Sequence, residues 1–158
     1  ALTEFKRLDV AISSFNQMSD KKLLIIWAWD SRDKLESIVS GDNIIFTGPQ
    51  YWDDLVSLVQ NSQGLIFPWE EDFWIVPIEV MAAGKPVFAL WKWGLLETVI
   101  QWKTWEFFQD ENWWDFIENF KIFHENNISW KYSEKNCKKQ AESFSDIEFE
   151  RKLLELIK

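Results

Sequence analysis

The chain has 158 residues, the length of one ordinary domain, and 47% of them are hydrophobic and 27% charged, as in a globular protein. No apolar run approaches the ~20 residues of a membrane-spanning helix, and the net charge of −9 argues against nucleic acid as a partner, because phosphate binding depends on Lys and Arg. Cys137 is the one cysteine and the chain opens with no secretion signal, which together favour a cytoplasmic protein.

Short apolar segments alternate with amphipathic ones in the first part of the chain. The apolar spacing from Phe5 to Phe15 predicts a first helix over residues 6–17. Short apolar runs, typical of buried parallel strands, then alternate with helical stretches that begin near residues 31, 53 and 76. The predicted strands are 23–26, 43–46, 64–67 and 86–90. This alternation predicts a Rossmann-like α/β fold, with a parallel sheet covered by helices on both faces.

After Glu97 the pattern becomes helical. A short apolar segment at 107–108 precedes helices predicted near 114–125, 133–144 and 146–157. Met81, Phe116 and Phe120 are expected in the core, and His124 is expected to be a packing or surface residue rather than a base. No repeat or linker divides the chain, so residues 1–158 are predicted to form a single domain.

Tryptophan and glycine are present in unusual numbers. There are 12 Trp and only 5 Gly, whereas glycine usually makes up about 7% of residues. Most of the tryptophans follow a predicted strand or stand among Lys, Thr, Asn, Asp and Ser, which mark turns where glycine reaches positive φ without steric cost. These residues are Trp27, Trp29, Trp69, Trp74, Trp91, Trp93, Trp102, Trp105, Trp113, Trp114 and Trp130. We interpret them as occupying glycine positions; the alternative is a set of aromatic surface anchors.

The glycine interpretation has a simple possible origin. The codon UGA encodes glycine in some bacterial genetic codes and tryptophan in another, so translation with the wrong table would produce this pattern. Deliberate engineering of the 12 sites is the weaker alternative.

With glycine at these positions, residues 69–94 read Gly-Glu-Glu-Asp-Phe-Gly-Ile-Val-Pro-Ile-Glu-Val-Met-Ala-Ala-Gly-Lys-Pro-Val-Phe-Ala-Leu-Gly-Lys-Gly-Gly. This resembles the donor-site signature of the retaining GT-B glycosyltransferases. The resemblance is specific over 67–97 and looser over 5–15, 24–49 and 104–108. It implies one half of a GT-B fold, namely the C-terminal, nucleotide-sugar-binding domain of a two-domain enzyme. The N-terminal acceptor domain and the first strand of this domain would then be missing from the sequence.

The resemblance implies a sugar site and a ribose site. Glu79 would hydrogen-bond the ribose hydroxyls. Glu71 would contact hydroxyls of the transferred sugar, with Phe73, Trp74 and Ile75 beside it. A carboxylate suits both tasks because it accepts hydrogen bonds from two neighbouring hydroxyls. The plain alternative is that the two glutamates are simply solvated in an acidic protein.

The same resemblance implies phosphate and base sites. Lys6 would place a point charge on the donor diphosphate, and Trp93-Gly94 resembles a Gly-Gly turn that opens a phosphate-binding helix. Gly48 and Pro49 follow a strand end where this fold receives the base, although an ordinary turn explains that pair equally well. The Arg that the family usually has shortly before the Lys is absent from residues 1–5.

The function implied is retaining transfer of a hexose, mannosyl or glucosyl, from UDP- or GDP-hexose in cell-surface polysaccharide synthesis. The nucleotide diphosphate sugar is the donor substrate, and neither a cofactor nor a metal is expected, since the acidic residues form no ligand set. Expected partners are this nucleotide sugar and the N-terminal domain, with the full enzyme as a peripheral protein at the inner face of the membrane. The isolated domain is expected to transfer nothing.

Two other functions compete with this interpretation. One is a non-enzymatic carbohydrate-binding module that uses Trp as stacking platforms. The other is a sugar-phosphate epimerase of related fold, which would need a catalytic His beside the acidic residues, where His124 is badly placed.

Overall fold

The computed structural model describes residues 6–26, 32–69, 75–90, 103–109, 113–129 and 131–157. Helices and strands alternate in the first part of this range, and helices alone follow the last strand. The elements are α1 (Leu8–Phe15), β1 (Leu23–Ile26), α2 (Arg32–Glu36), β2 (Ile44–Gly48), α3 (Trp52–Asn61), β3 (Leu65–Phe67), α4 (Ile75–Ala82), β4 (Val87–Leu90), β5 (Trp105–Phe108), α5 (Trp113–Ile128), α6 (Glu134–Glu142) and α7 (Asp146–Leu156). This order confirms the predicted Rossmann-like α/β class.

The strands are parallel throughout and form two sheets. β1 pairs with β2, with Leu23 opposite Ile44, and the other sheet has the order β3-β4-β5. Helices α2 and α4 each connect two paired strands, as parallel pairing requires, and α3 leads from the first sheet to the second. Among the described strands, β1, β2, β3 and β5 each have one edge without a partner strand. The sequence predicts a single sheet, whereas the described strands form two separate parallel sheets.

One hydrophobic core joins the two sheets. Its buried members include Ile25 of β1, Phe88 of β4 and Phe108 of β5, with Phe15 of α1 and Phe116 of α5. The rings of Phe88 and Phe116 meet edge to face with centroids 5.0 Å apart, a favourable aromatic geometry. Met81 and Phe120, like Phe116, are buried, which confirms the predicted core positions. Both sheets therefore pack against the same set of side chains.

A buried asparagine fixes the connection between α1 and β1. The Asn43 side-chain amide donates to the carbonyl oxygens of Phe15 at 2.9 Å, Met18 at 3.2 Å and Lys21 at 2.9 Å. These carbonyls lie at and beyond the C-terminus of α1, where helix geometry leaves acceptors without partners. Asn43 therefore anchors this loop to the start of β2.

A second, smaller core lies under α4 and α6. It buries Phe67, Met81 and Cys137, and burial raises the pKa of the Cys137 thiol to about 11. α4 ends at Ala82, and Gly84 follows with φ 81°, the left-handed conformation that commonly terminates a helix. A side chain at residue 84 would also collide with Glu134, so this glycine allows α6 to approach the end of α4.

The described tryptophans bear on the glycine interpretation in different ways. Trp52 has φ 46° and is 87% exposed, a conformation and a setting that suit glycine and oppose a bulky residue. Trp105, however, lies in β5, and Trp113 and Trp114 form the start of α5. The prediction that these three occupy turns is wrong, since each belongs to a regular element. Trp52 is the first residue of α3 and was not one of the eleven tryptophans interpreted as glycine positions, but its positive φ supports a glycine position there. Trp69, which was one of the eleven, does not have a positive φ.

Candidate functional site

The end of β3 and the start of α4 form one side of the predicted donor site. Parallel α/β sheets bind ligands beyond the carboxyl ends of their strands. Here β3 ends at Phe67, and Trp69 follows it. Helix α4 begins at Ile75, and helix geometry leaves the N–H groups of its first turn without intrahelical partners. Pro77 lies within that turn, where its missing N–H is no loss.

Lys6, near the start of the sequence, contacts Trp69 beyond the end of β3. Its Nζ lies over the Trp69 ring, 4.2 Å from the ring centroid. Arg7 has φ 46° and ψ 34°, so the chain makes a left-handed bend between Lys6 and α1. Lys6, predicted from the sequence as the diphosphate ligand, is thereby positioned at the β3–α4 connection. Its contact with Trp69 was not predicted, because the two residues are far apart in the sequence and their pairing depends on the fold.

Helix α4 presents both apolar and acidic groups to solvent. Ile75 is 53% and Val76 45% exposed. Glu79 starts the second turn and is exposed, and within the described ranges its carboxylate has no hydrogen-bond or ion-pair partner. The carboxylate and the two apolar side chains are therefore available to a ligand at the beginning of α4.

The end of β2 carries the predicted base site. Gly48 has φ 73°, and among the described residues a Cβ built on it would meet no heavy atom within 4 Å. The Thr47 hydroxyl lies 3.4 Å from the carbonyl oxygen of Ile25, and the Gln50 side chain donates to the Thr47 carbonyl oxygen at 3.1 Å. These bonds hold Gly48 and the partly buried Pro49 in place beside β1. Gly48 keeps a conformation that favours glycine, as a close backbone approach requires.

Several predicted site residues lie outside the described residues. They are Glu71, Phe73, Trp74, Trp93 and Gly94. Of the remaining predictions, the structure brings Lys6 to Trp69, two residues beyond the end of β3, while Ile75 and Glu79 lie on α4. It describes Gly48 and Pro49 at the end of β2, in the other sheet.

Titratable groups elsewhere in the described chain do not extend this site. His124 stacks on Phe120, with ring centroids 6.4 Å apart, and burial, followed by the charge of Lys21, lowers its pKa. This agrees with the predicted packing or surface role. The described residues also contain no group of three or more His, Cys, Asp or Glu that could hold a metal ion.

Comparison with known proteins places these features in a family. The sequence profile described as Glycosyl transferases group 1 matches residues 1–144. The parallel α/β fold of the described residues matches one half of a GT-B structure. The chain belongs to the family Glycosyl transferases group 1. A search of curated protein sequences gives no match.

Solved structures share the fold at low sequence identity. The chain is similar to Alr3699/HepE of Anabaena, solved in complex with UDP and glucose, with a TM-score of 0.82 and 16% identity over 99% of this chain and 45% of that one. It is also similar to sucrose-phosphate synthase of Thermosynechococcus elongatus, with a TM-score of 0.77 and 18% identity over 98% of this chain and 43% of that one. The catalytic domain of the Helicobacter pylori cholesterol-α-glucosyltransferase gives a TM-score of 0.69 and 11% identity over 91% of this chain and 94% of that one.

The coverage values show how much of each known structure this chain matches. The chain spans less than half of the length of HepE and of sucrose-phosphate synthase, while nearly all of it is matched by them. At these identities the likeness shows the fold alone. None of the described helices has the length and apolar character needed to cross a membrane.

Proposed function

We propose that this chain is the donor-binding domain of a glycosyltransferase that takes a hexose from UDP- or GDP-hexose and transfers it with retention of configuration. The observation that carries this proposal is the position of Lys6 beside the β3–α4 connection. There a cation, the N-terminus of a helix and an available carboxylate lie on neighbouring segments. A nucleotide diphosphate sugar offers the matching groups: a dianionic diphosphate, a ribose and a sugar.

Each described residue has a role that follows from its chemistry. Lys6 binds the diphosphate as a point charge, helped by the positive end of the α4 dipole. Glu79 accepts hydrogen bonds from the ribose hydroxyls, and Ile75 borders the sugar. Gly48 and Pro49 receive the base. The residues outside the described ranges keep the roles that the resemblance gives them: Glu71, Phe73 and Trp74 at the sugar, and Trp93 and Gly94 at the phosphates.

The contribution to catalysis is electrostatic. When the bond between the sugar and the diphosphate breaks, negative charge develops on the departing phosphate oxygens. A cation and helix amides that contact those oxygens in the bound state stabilise the transition state more than the ground state. Lys6 and the first turn of α4 supply these groups. The acceptor and the other wall of the cleft come from a second domain, so this domain alone binds the donor and transfers nothing.

The open strand edges support a further part of the domain proposal. β1 and β3 each have an edge without a described partner, yet both sheets pack on one core. In doubly wound sheets with the strand order 3-2-1-4-5-6, the first strand lies at the centre. A parallel strand that precedes α1 and lies between β1 and β3 would join the two parts and give α1 the crossover role of the other helices. We include this strand, and an N-terminal acceptor domain before it, in the complete enzyme.

The setting of the complete enzyme is part of the same proposal. We place it in the cytoplasm, at the inner face of the membrane, in cell-surface polysaccharide synthesis as a mannosyl- or glucosyltransferase. The cytoplasmic setting is consistent with a chain that has one cysteine and so cannot form an internal disulfide.

Calorimetric titration with UDP, GDP, UDP-glucose and GDP-mannose tests the donor site. We expect one nucleotide class to bind, and Lys6→Met and Glu79→Gln to weaken its binding by about tenfold each, since each removes a charge-assisted contact. Glu125→Gln, at an exposed glutamate of α5, is the matched control and should bind like the parent chain. Binding of free sugars without any preference for nucleotide sugars would instead support the carbohydrate-binding module.

A further inference from the structure

The contact between Lys6 and Trp69 lies inside the proposed donor site. The Lys6 ammonium sits 4.2 Å from the centroid of the Trp69 ring, well within the ~6 Å range of a cation–π interaction. The face of an indole carries negative electrostatic potential, and Trp gives the strongest such interaction of the aromatic residues. The negative potential at the ring face therefore attracts the Lys6 ammonium, as a phosphate group would.

The Trp69 ring is held in place by packing. Its centroid lies 3.8 Å from that of Phe67, whose side chain is fully buried. Trp69 is itself partly buried and packs against the second core, as Leu65 and Ile78 also do. Since the indole is fixed by packing and the lysine stem is flexible, the geometry brings the ammonium to the ring rather than the ring to the ammonium.

From these contacts we propose that Trp69 is an internal competitor of the donor diphosphate for Lys6. In this chain the side chain at residue 69 sets the affinity for a diphosphate-bearing ligand, because such a ligand must draw the ammonium away from the indole before it can use the charge. This inference rests on the proposed function, since it concerns the same site. Trp69 acts through Lys6 and is a positioning residue, not a catalytic one.

The expected size of the effect follows from the strength of the contact. A cation–π interaction at a partly buried ring corresponds to about a fivefold change in an equilibrium constant. Trp69→Gly removes the ring and should tighten UDP binding by about this factor. Trp69→Leu should give a similar gain while it keeps apolar contact with Phe67, so it remains informative if the glycine variant folds poorly. Trp69→Phe keeps an aromatic face over the same position and should give a smaller gain.

The experiment is a double-mutant cycle with two readouts. UDP affinity is measured by calorimetry for the parent chain, Lys6→Met, Trp69→Leu and the double variant, with Trp69→Gly and Trp69→Phe alongside. The rate of Lys6 acylation without ligand is measured by peptide mass spectrometry and normalised to Lys135, an exposed lysine of α6. Acylation reports on access to the ammonium and does not depend on nucleotide binding.

We expect Trp69→Leu to accelerate Lys6 acylation. We also expect it to tighten UDP binding in the parent background but not in the Lys6→Met background. An unchanged acylation rate, or an affinity gain that persists in the Lys6→Met background, would overturn the competition, because the effect would then be steric or absent. Faster acylation without any gain in affinity would overturn it as well. If the donor titration shows GDP binding in place of UDP, the same affinities are measured with GDP. Failure of every variant to bind either nucleotide would refute the proposed function, and the acylation rates would still show whether Trp69 covers Lys6.

Discussion

The Tyr132 hydroxyl donates a 2.6 Å hydrogen bond to the buried Glu106 carboxylate. The Asn126 side-chain amide completes the triangle, 3.2 Å from the same carboxylate oxygen and 3.1 Å from the Tyr132 oxygen. Burial, followed by the hydrogen bond to Glu106, raises the pKa of Tyr132 above its ordinary value, so the phenol keeps its proton and remains a donor. This network ties β5 to α5 and to the segment before α6.

Tyr132→Phe tests the contribution of this network to stability. The substitution removes two of the three hydrogen bonds, the one to Glu106 and the one from Asn126, and leaves a buried carboxylate with one donor fewer. We expect the free energy of unfolding to fall by about 1–3 kcal/mol, as measured by urea denaturation. Tyr51→Phe, at a tyrosine that is 56% exposed, should change it by less than about 0.5 kcal/mol. Equal effects of the two substitutions would contradict the structural role of the network.

Trp52→Gly tests the glycine interpretation through stability. A non-glycine residue at φ 46° carries strain of about 1 kcal/mol, and the exposed indole of Trp52 makes little packing to offset it. The substitution should raise the free energy of unfolding by about 1 kcal/mol. Trp114→Gly is the matched control, because Trp114 is also exposed, at 63%, but lies in helix α5, where glycine should destabilise by about 1 kcal/mol. Changes of the same sign at both sites would count against a glycine position at 52.

The codons and the natural protein test the same interpretation directly. If UGA was read as tryptophan, most of the 12 Trp codons are UGA, and peptide mass spectrometry of the protein from its own cells will show glycine at residues 52 and 69. Tryptophan at both residues in the native peptides would eliminate the hypothesis. The outcome also decides whether the Lys6–Trp69 contact exists in the cell.

His124 gives the chain a defined pH dependence. Its pKa is lowered in the folded state, first by burial and then by the Lys21 charge, so the unfolded state binds the proton more tightly. Stability should therefore rise with pH through this window, be complete above the unfolded pKa of about 6.5, and be lost as the pH falls towards the lower folded pKa. His124→Gln should flatten this part of the profile. Because the chain has one His, its imidazole NMR signal should titrate below the ordinary value; a midpoint at or above that value would contradict the lowered pKa.

The strands were predictable where they are buried on both faces. The predicted strand 86–90 is β4 (Val87–Leu90), whose four residues are all buried, because a parallel strand covered by helices appears in the sequence as a continuous apolar segment. β5 was expected only as a short apolar segment, since Glu106 interrupts the pattern. Its burial depends on Tyr132, which lies in another part of the chain and is brought close by the fold.

The candidate site, too, could be predicted only where local sequence signals place its residues. Glu79 could be placed one turn into a helix because local signals, such as Pro77 in the first turn, fix that register. The contact between Lys6 and Trp69 joins segments that local pattern cannot connect, so only the packed structure shows it. The sequence indicated which residues carry the charge, and the fold determines what that charge contacts.

The edges of β1 and β3 that lack a described partner have a consequence for how this chain behaves when it is isolated. An uncovered strand edge exposes a row of backbone donors and acceptors, which is a template for pairing with another molecule. Wherever two such edges are left open in one copy, a neighbour can add at each of them, so growth need not stop at a dimer. A strand that occupied both edges at once would complete the sheet and also protect the protein against aggregation.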